Sequence, residues 1–396
     1  MEKLILRSRS LLNIVNTDYI RNPGNQIKWD WRLTGILGAR GAGKTTLFLQ
    51  QLKTRFDSSK SVYITLDDIY FTENSLIDFI ESFRSQGGQY FFIDEVHKYP
   101  GWARELKNAY DYFPDIYLFF TGSSAIEISR QEVDLSRRAM MYELPGLSFR
   151  EYLKLKEGLD YPILNLKEVL SRHTEIAADI SAQLKPLLHF RKYLESGYYP
   201  FFLEDEAYYL PRLEKTVRLT IDVDLNFIEG YDPRNARKIY QLLYILATNV
   251  PFKPNIKKLS EKIGISRQTL IQYLHYLEKT RLIGSLIQTG KSISILQKPD
   301  KIYLNNTNLA YALSPSYVNE GTLRETFFLN QLSTAHTLSL PSAGDFLIDE
   351  TFTFEIGGKR KTNEQIRHLP DAYVAADEIE IGFQQKIPLW LFGFLY

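Results

Sequence analysis

The chain has 396 residues, a length that suits roughly two to three domains. With 44% apolar and 24% charged residues it can bury a core, which excludes general disorder, and a formal net charge of +1 excludes bulk attraction to polyanions. Cysteine is absent, which excludes disulfides, thiolate metal sites and a cysteine nucleophile. The first residues, MEKLILRSRSLLNIVN, lack the long apolar core and cleavage site of a signal peptide. From RLTGIL to about Glu143, short β-rich runs alternate with longer helical ones. RLTGIL, SVYITLDD, QYFFIDE and DIYLFFTGSS read as strands, and GKTTLFLQQLKTRF, NSLIDFIESFRSQ and WARELKNAYDYF as helices. That alternation predicts parallel strands with crossover helices, hence an α/β sheet covered on both faces. From LSFREYLKLK to about Gly230 the periodicity is mainly helical, and GYDPRNARK reads as a boundary. A helix-rich block, a hairpin at KSISILQKPDKIYLNN and a mixed α/β tail follow. The apolar run IPLWLFGFLY near the C-terminus is far shorter than the ~20 residues of a membrane span, so a soluble cytoplasmic protein with no membrane partner is expected.

GARGAGKT, Gly38 to Thr45, fits G-x-x-x-x-G-K-[ST] between a predicted strand and a predicted helix. Glycines at 38, 41 and 43 let successive backbone N–H groups turn toward phosphate oxygens, and the following helix adds its positive end. Gly38, Ala39, Arg40, Gly41, Ala42, Gly43, Lys44, Thr45 and Thr46 are the predicted cradle for ATP. Lys44 reaches the terminal phosphates and Thr45 is the expected Mg²⁺ ligand. QYFFIDE ends in an acidic pair where ligands bind in open α/β sheets. Asp94 is expected to hold Mg²⁺ through water, and Glu95 to polarise the attacking water. Ser123, with Thr121 or Ser124 as the alternative, ends the next strand and is placed to sense the γ-phosphate. A guanidinium for the transition state is sought at Arg137 and Arg138, with Arg138 preferred, while Arg40 is given no catalytic role. His97 follows the acidic pair, and its structural reading is preferred to one beside the nucleotide. The six histidines show no metal-ligand spacing.

GARGAGKTTL, FFIDEVHKYPGW, LFFTGSS and LPGLSFREYL, in this order and spacing, resemble the prokaryotic AAA-type ATPases fused to a C-terminal domain of unknown function of the DUF4143 type. The resemblance covers most of the chain. It is carried chiefly by residues 30–155, then by 235–313. It implies a P-loop ATPase domain over 1–145, a helical subdomain over 146–231, a winged helix over 232–313 and a tail over 314–396 related to the PD-(D/E)xK nuclease fold. It also implies Mg²⁺-dependent ATP hydrolysis coupled to movement of the C-terminal domains. Family members commonly carry Gly-Arg where this chain has Ser136-Arg137-Arg138, so the finger residue stays open.

IKKLSEKIGISRQTLIQYLHYLEKTRLI reads helix, turn, helix, with Gly264 at the turn, Ser266 as N-cap and the following hairpin as a wing. Between Lys253 and Lys291, eight basic residues against Glu261 and Glu278 give 8 − 2 = +6. Arg267, Gln268 and Gln272 fall where a recognition helix meets bases or phosphates, so DNA contact stands beside a purely structural role. In the tail, TLRETFFLNQL is a helix carrying Glu325, and GDFLIDETFTFEIGG is a hairpin turning at Asp349-Glu350. Asp345 and Glu355 match the two acids of the nuclease pattern. Gly357 stands where its lysine belongs, with Lys359 or Lys361 as the substitute, so a degenerate nuclease fold is preferred to an active one. Three functions compete: an ATPase that moves its C-terminal domains, a nucleotide-gated DNA-binding or nuclease module, and a weakly hydrolysing ATP-binding scaffold. Self-association or a protein partner is compatible with each.

Overall fold

The computed structural model describes residues 1–123, 135, 137–228, 231–249, 251–289 and 298–396. Ser124, Ser136, Lys291 and the start of the expected wing lie outside them. The chain forms two units, Met1–Gly146 with Leu219–Pro233, and Leu147–Arg218 with Arg234–Tyr396. The stretch 146–231, read from sequence as one helical subdomain, is thus divided, and its end from Leu219 joins the first unit.

In the first unit, β1 (Leu33–Gly38), β2 (Ser61–Thr65), β3 (Tyr90–Asp94), β4 (Tyr117–Ser123) and β5 (Met140–Glu143) form one sheet in the order β2-β3-β4-β1-β5. Every pairing is parallel. The strands read as continuous apolar runs because both faces are buried. Phe91 and Ile93 enter the core on one face with Val62, Leu118 and Phe120, whereas Phe92 enters the other with Trp29, Phe48 and Phe119. This is the period-two alternation of a strand, with apolar residues at both phases. The helix Glu2–Ile14, which sequence reading left without a role, sends Leu4 to one core and Leu12 to the other. Its buried Ser8 accepts the Tyr63 N–H of the outer strand β2 at 2.9 Å, satisfying a group the sheet leaves unpaired. Parallel register brings Gly38 opposite Ser123 and Ile93 opposite Phe120. The C-terminal ends of β1, β3 and β4 therefore meet, which is where this α/β arrangement, the fold of a P-loop NTPase, places its ligands.

The second unit begins with helices. Ser148 and Glu151 form a capping box on Phe149–Glu157, followed by Leu166–Ser181 and Pro186–Ser196. Further on, Ile256–Ile263 and Arg267–Lys279 are joined at Gly264, whose φ of 71° needs a residue without a Cβ, and Ser266 caps the second helix by accepting Thr269 N–H at 3.0 Å. The antiparallel pair β6 (Ile283–Leu286) and β7 (Lys301–Leu304) follows. After helix Glu320–Leu332 come β8 (Leu338–Ser339), β9 (Phe346–Ile348), β10 (Phe352–Gly357), β11 (Ala372–Ala376) and β12 (Lys386–Pro388). They form a mixed sheet in the order β12-β11-β10-β9-β8, antiparallel from β8 to β10 and parallel from β10 to β12. The β9–β10 turn is at Asp349 and Glu350, both with positive φ, as a tight hairpin requires. IPLWLFGFLY is core: Trp390, Phe392 and Phe394 are buried, and the Tyr396 carbonyl accepts from Ser148 Oγ at 2.8 Å and Arg150 Nε at 3.0 Å. Among the described residues, no helix is long and apolar enough to cross a membrane.

Candidate nucleotide site

The loop after β1 has the backbone its glycines foretell. Gly41 and Gly43 take φ of 85° and 95°, left-handed values that are strained for other residues, and helix Lys44–Arg55 starts directly behind them. A Cβ on Gly38 would sit 2.5 Å from the Leu144 carbonyl oxygen. Arg21, absent from the sequence reading, is buried and donates to the carbonyls of Ala42 at 2.9 Å, Pro145 at 2.8 Å and Gly146 at 2.7 Å. It thereby ties the loop to the chain beyond β5. Thr45 and Thr46 are exposed on the first helical turn, where backbone N–H groups lack intrahelical acceptors.

Lys44 folds back over the loop, donating from Nζ to the Gly38 carbonyl at 2.9 Å and the Ala39 carbonyl at 3.1 Å. Burial pushes its ammonium down, while Glu95, Asp94 and Asp224 pull the other way. Asp94 is 2% exposed and is the polar hub. Its Oδ2 accepts from Thr45 Oγ1 at 2.6 Å and Tyr63 OH at 2.7 Å, and its Oδ1 accepts from Thr121 Oγ1 and, at 3.1 Å, from Glu95 N–H. Thr121 is thus engaged with Asp94, and between the two described candidates of that strand end it is Ser123 that faces the rest of the site. Burial, then the Asp94 charge, holds the Tyr63 phenol far above its ordinary range, so it stays a donor.

Glu95 has φ of 55°, a left-handed conformation that costs a non-glycine residue about 1–2 kcal/mol. The turn aims its carboxylate back at His97 and Lys98, with Oε2 at 3.4 Å from His97 Nε2 and 3.7 Å from Lys98 Nζ. Neither Glu95 Oε2 nor His97 Nε2 has a hydrogen-bond partner. His97 Nδ1 accepts from Ser123 N–H at 3.3 Å, which assigns the neutral ring's proton to Nε2. The imidazole therefore lies beside the candidate site, and its bond to the Ser123 backbone is compatible with the structural role preferred from sequence.

The residue that sequence reasoning missed is Asp224. It is fully buried, with Oδ1 at 2.5 Å from Arg40 Nη2 and Oδ2 at 3.2 Å from Ser123 Oγ. Burial opposes the charge on Arg40 most strongly, but the bond to Asp224 and the charges of Asp224, Glu95 and Asp67 together outweigh it, so the guanidinium is held above its ordinary range. No local motif surrounds Asp224, and only its failure to fit an apolar helical face distinguishes it in sequence. Arg138, the preferred finger, is not brought to this site. It grips Asp111 with both Nε and Nη2 at 3.0 Å, and its carbonyl accepts from Trp31 Nε1 at 3.1 Å, just ahead of β5. That is the N-terminal edge of the sheet, roughly 17 Å along the strands from the loop at 3.3 Å per residue. Arg137 is exposed beside it.

In the second unit, Arg267, Gln268 and Gln272 are exposed on one helix, with Gln272 Nε2 donating to Tyr276 OH. Lys253, Asn255, Lys257, Arg267, Lys298 and Asp300 line a cleft of about 400 Å³ at that end. In the tail, Lys361 rather than Lys359 meets Glu355, at 2.8 Å, while Lys359 is exposed. Gly357 is the reason: a Cβ there would lie 2.6 Å from Lys361 Cβ, so the glycine leaves space for a lysine from the next loop. Asp345 Oδ2 accepts from Ile356 N–H at 2.8 Å, and Glu325 accepts from Lys301 Nζ and Tyr303 OH, both at 2.6 Å. Among the described residues, no group of three or more His, Asp or Glu side chains is placed to hold a metal ion.

Residues 30–153 match the family described as an AAA domain, and residues 187–318 match a domain of unknown function, DUF8612. The latter lies ahead of the tail that the sequence reading assigned to a DUF4143-like domain. Over 384 residues the chain is 26% identical to the uncharacterized protein MJ1637 of Methanocaldococcus jannaschii, covering 89% of this chain and 81% of that protein. Among solved structures, the Aeropyrum pernix ORC1 protein in complex with DNA aligns with a TM-score of 0.33 and 14% identity, over 80% of this chain and 92% of that one. PCH-2 of C. elegans aligns with a TM-score of 0.23 and 20% identity, over 40% of this chain and 44% of that one. The match over residues 30–153 spans the loop, the acidic pair and β4, so the segment that is similar to AAA domains supplies most of the site, whereas Arg21 and Asp224 lie outside it.

Proposed function

We propose that the first unit binds ATP and hydrolyses it with Mg²⁺. What supports this most is the meeting of Lys44, Thr45, Asp94 and Glu95 at the C-terminal ends of β1 and β3, the two parallel strands that flank β4. In this reading the loop N–H groups and the helix end hold the phosphate oxygens, and Lys44 exchanges its carbonyl partners for the terminal phosphates. A hydroxyl and a carboxylate whose oxygens already lie 2.6 Å apart suit a hard divalent cation, so Thr45 and Asp94 would hold Mg²⁺. When bound, that ion neutralises charge on the β- and γ-phosphate oxygens. Glu95 accepts the proton of the attacking water, and Ser123 orients it. Because Arg138 is pinned at the far edge of its own sheet, an arginine of this segment acts on the site of a second copy if it acts at all. Isothermal titration and turnover test the reading. Lys44→Ala should lose ATP binding, whereas Glu95→Gln should keep it and lower turnover at least about 100-fold. Wild-type turnover by Glu95→Gln would remove the catalytic assignment.

A second reading concerns the helix-turn-helix and the strand pair that follows it, which fit a winged helix contacting duplex DNA. The observation favouring it is the cleft where Lys253, Lys257, Arg267 and Lys298 face a single acid, Asp300. Phosphate contacts release counterions, so fluorescence anisotropy with duplex DNA should show affinity falling steeply between about 50 and 200 mM salt. Absence of binding at the low end overturns this reading and leaves the first intact.

A further inference from the structure

One acidic side chain in the nucleotide site has no part in the hydrolysis just described. Asp224 opens the short turn Asp224–Phe227, yet both carboxylate oxygens face the site rather than the turn's own backbone. Oδ1 and Oδ2 face Nη2 and Nε of Arg40 at 2.5 and 3.4 Å, the paired geometry in which a guanidinium grips a carboxylate or a phosphate. Oδ2 also takes the Ser123 hydroxyl at 3.2 Å, and Oδ1 lies 3.9 Å from the unpartnered His97 Nε2. The turn is held against the site at its other end too, where the Phe227 ring meets the His97 ring edge-on at 5.3 Å.

The donors that Asp224 engages stand where a terminal phosphoryl group has to be met. Arg40 lies within the loop, and Ser123 is directly across from Gly38 in the sheet. A fully buried carboxylate and an incoming phosphoryl group carry the same sign and compete for the same donors, and in a site screened from water their repulsion is little weakened. A nucleoside diphosphate ends one phosphoryl group short and has no such conflict.

Taking the ATP reading as its basis, we propose that Asp224 is a specificity-determining residue, which sets the preference between tri- and diphosphate. A γ-phosphoryl group binds only by displacing the Asp224 carboxylate from Arg40 and Ser123, and a diphosphate leaves that cluster in place. Asp224 then disfavours the triphosphate in the resting site, and the turn Asp224–Phe227 moves away from His97 when the triphosphate enters. The opposite role, in which Asp224 positions Arg40 to receive the phosphate, predicts the opposite sign.

The test is a competition titration with fluorescent ADP, displaced by ADP or by a non-hydrolysable ATP analogue, on the wild type, Asp224→Asn, Asp224→Ser and Asp224→Glu. The first two variants should keep ADP affinity within about twofold and bind the analogue about tenfold more tightly, and Asp224→Glu, which keeps the charge, should keep the wild-type ratio. An unchanged ratio in both neutral variants, or weaker binding of the analogue, overturns the proposal. In the unaltered protein, hydrogen exchange over Leu219–Ile228 should speed up with the analogue and not with ADP; equal exchange also overturns it, whether or not the variants fold. Failure of the wild type to bind either nucleotide would sink the ATP reading itself, a result distinct from binding without discrimination.

Discussion

At the scale of single residues, His97 is the group whose charge state the site controls most directly. Burial lowers its pKa, and the acids it faces, Glu95 and Asp224, only partly oppose this, with Lys44 and Lys98 acting in the same direction as burial. A histidine with a depressed native pKa leaves stability unaffected well above about 6.5, where folded and unfolded chains are both neutral. As the pH falls below that value, the unfolded chain takes up a proton the native site refuses, and stability drops. Thermal melts of the nucleotide-free protein between pH 7.5 and 5.5 should therefore show a loss that His97→Asn reduces, since an amide oxygen can still accept the Ser123 N–H. Unchanged pH sensitivity in that variant would place the titration elsewhere. The residues of this site were unequally legible. Lys44, Thr45, Asp94 and Glu95 could be read because each occupies a fixed offset in a short motif at a strand end. Asp224 could not, because it lies 184 residues from the arginine it grips and the fold alone brings them together. Arg21 was equally silent, a basic residue in a polar stretch whose partners are three carbonyls.

At the scale of elements, the loop is positioned by the strands on either side of it rather than by its own sequence. Gly38 ends β1 and lies against the chain just beyond β5, and no side chain fits between them. Gly38→Ala should destabilise the first unit by about 1–3 kcal/mol, because the obstacle is a backbone carbonyl that a rotamer change cannot move. Calorimetry should find the melting temperature lowered by several degrees, and ATP titration should find weaker binding even below the transition; a neutral substitution would mean that β5 yields. The short strand β5, MMYE, has too little pattern to be read in sequence, whereas β3 and β4 announced themselves through their Phe runs. The tail is a case of an element read correctly with its chemistry displaced. The hairpin and its turn were legible from alternation and from Asp349-Glu350, but the lysine that serves Glu355 is chosen by the space over Gly357, which no spacing rule encodes.

At the scale of the whole molecule, each unit is closed by residues distant in the chain. The first is completed by Leu219–Pro233, which supplies Asp224. The second begins at a helix whose Phe149 packs on Phe394 and whose Ser148 hydroxyl bonds the Tyr396 carbonyl, 248 residues away. A ribosome at ~5–20 residues per second therefore needs some tens of seconds between making the helix Phe149–Glu157 and making Phe394 and Tyr396, which complete its packing. Throughout that interval Phe149 can pack on Phe190 and Tyr193, and Tyr152 on Phe202, but the side of Phe149 that meets Phe394 has no native cover. Nascent chains of this protein are for that reason expected to be substrates for chaperones until residues 394–396 emerge, and the second unit gains its full protease resistance only from that point on.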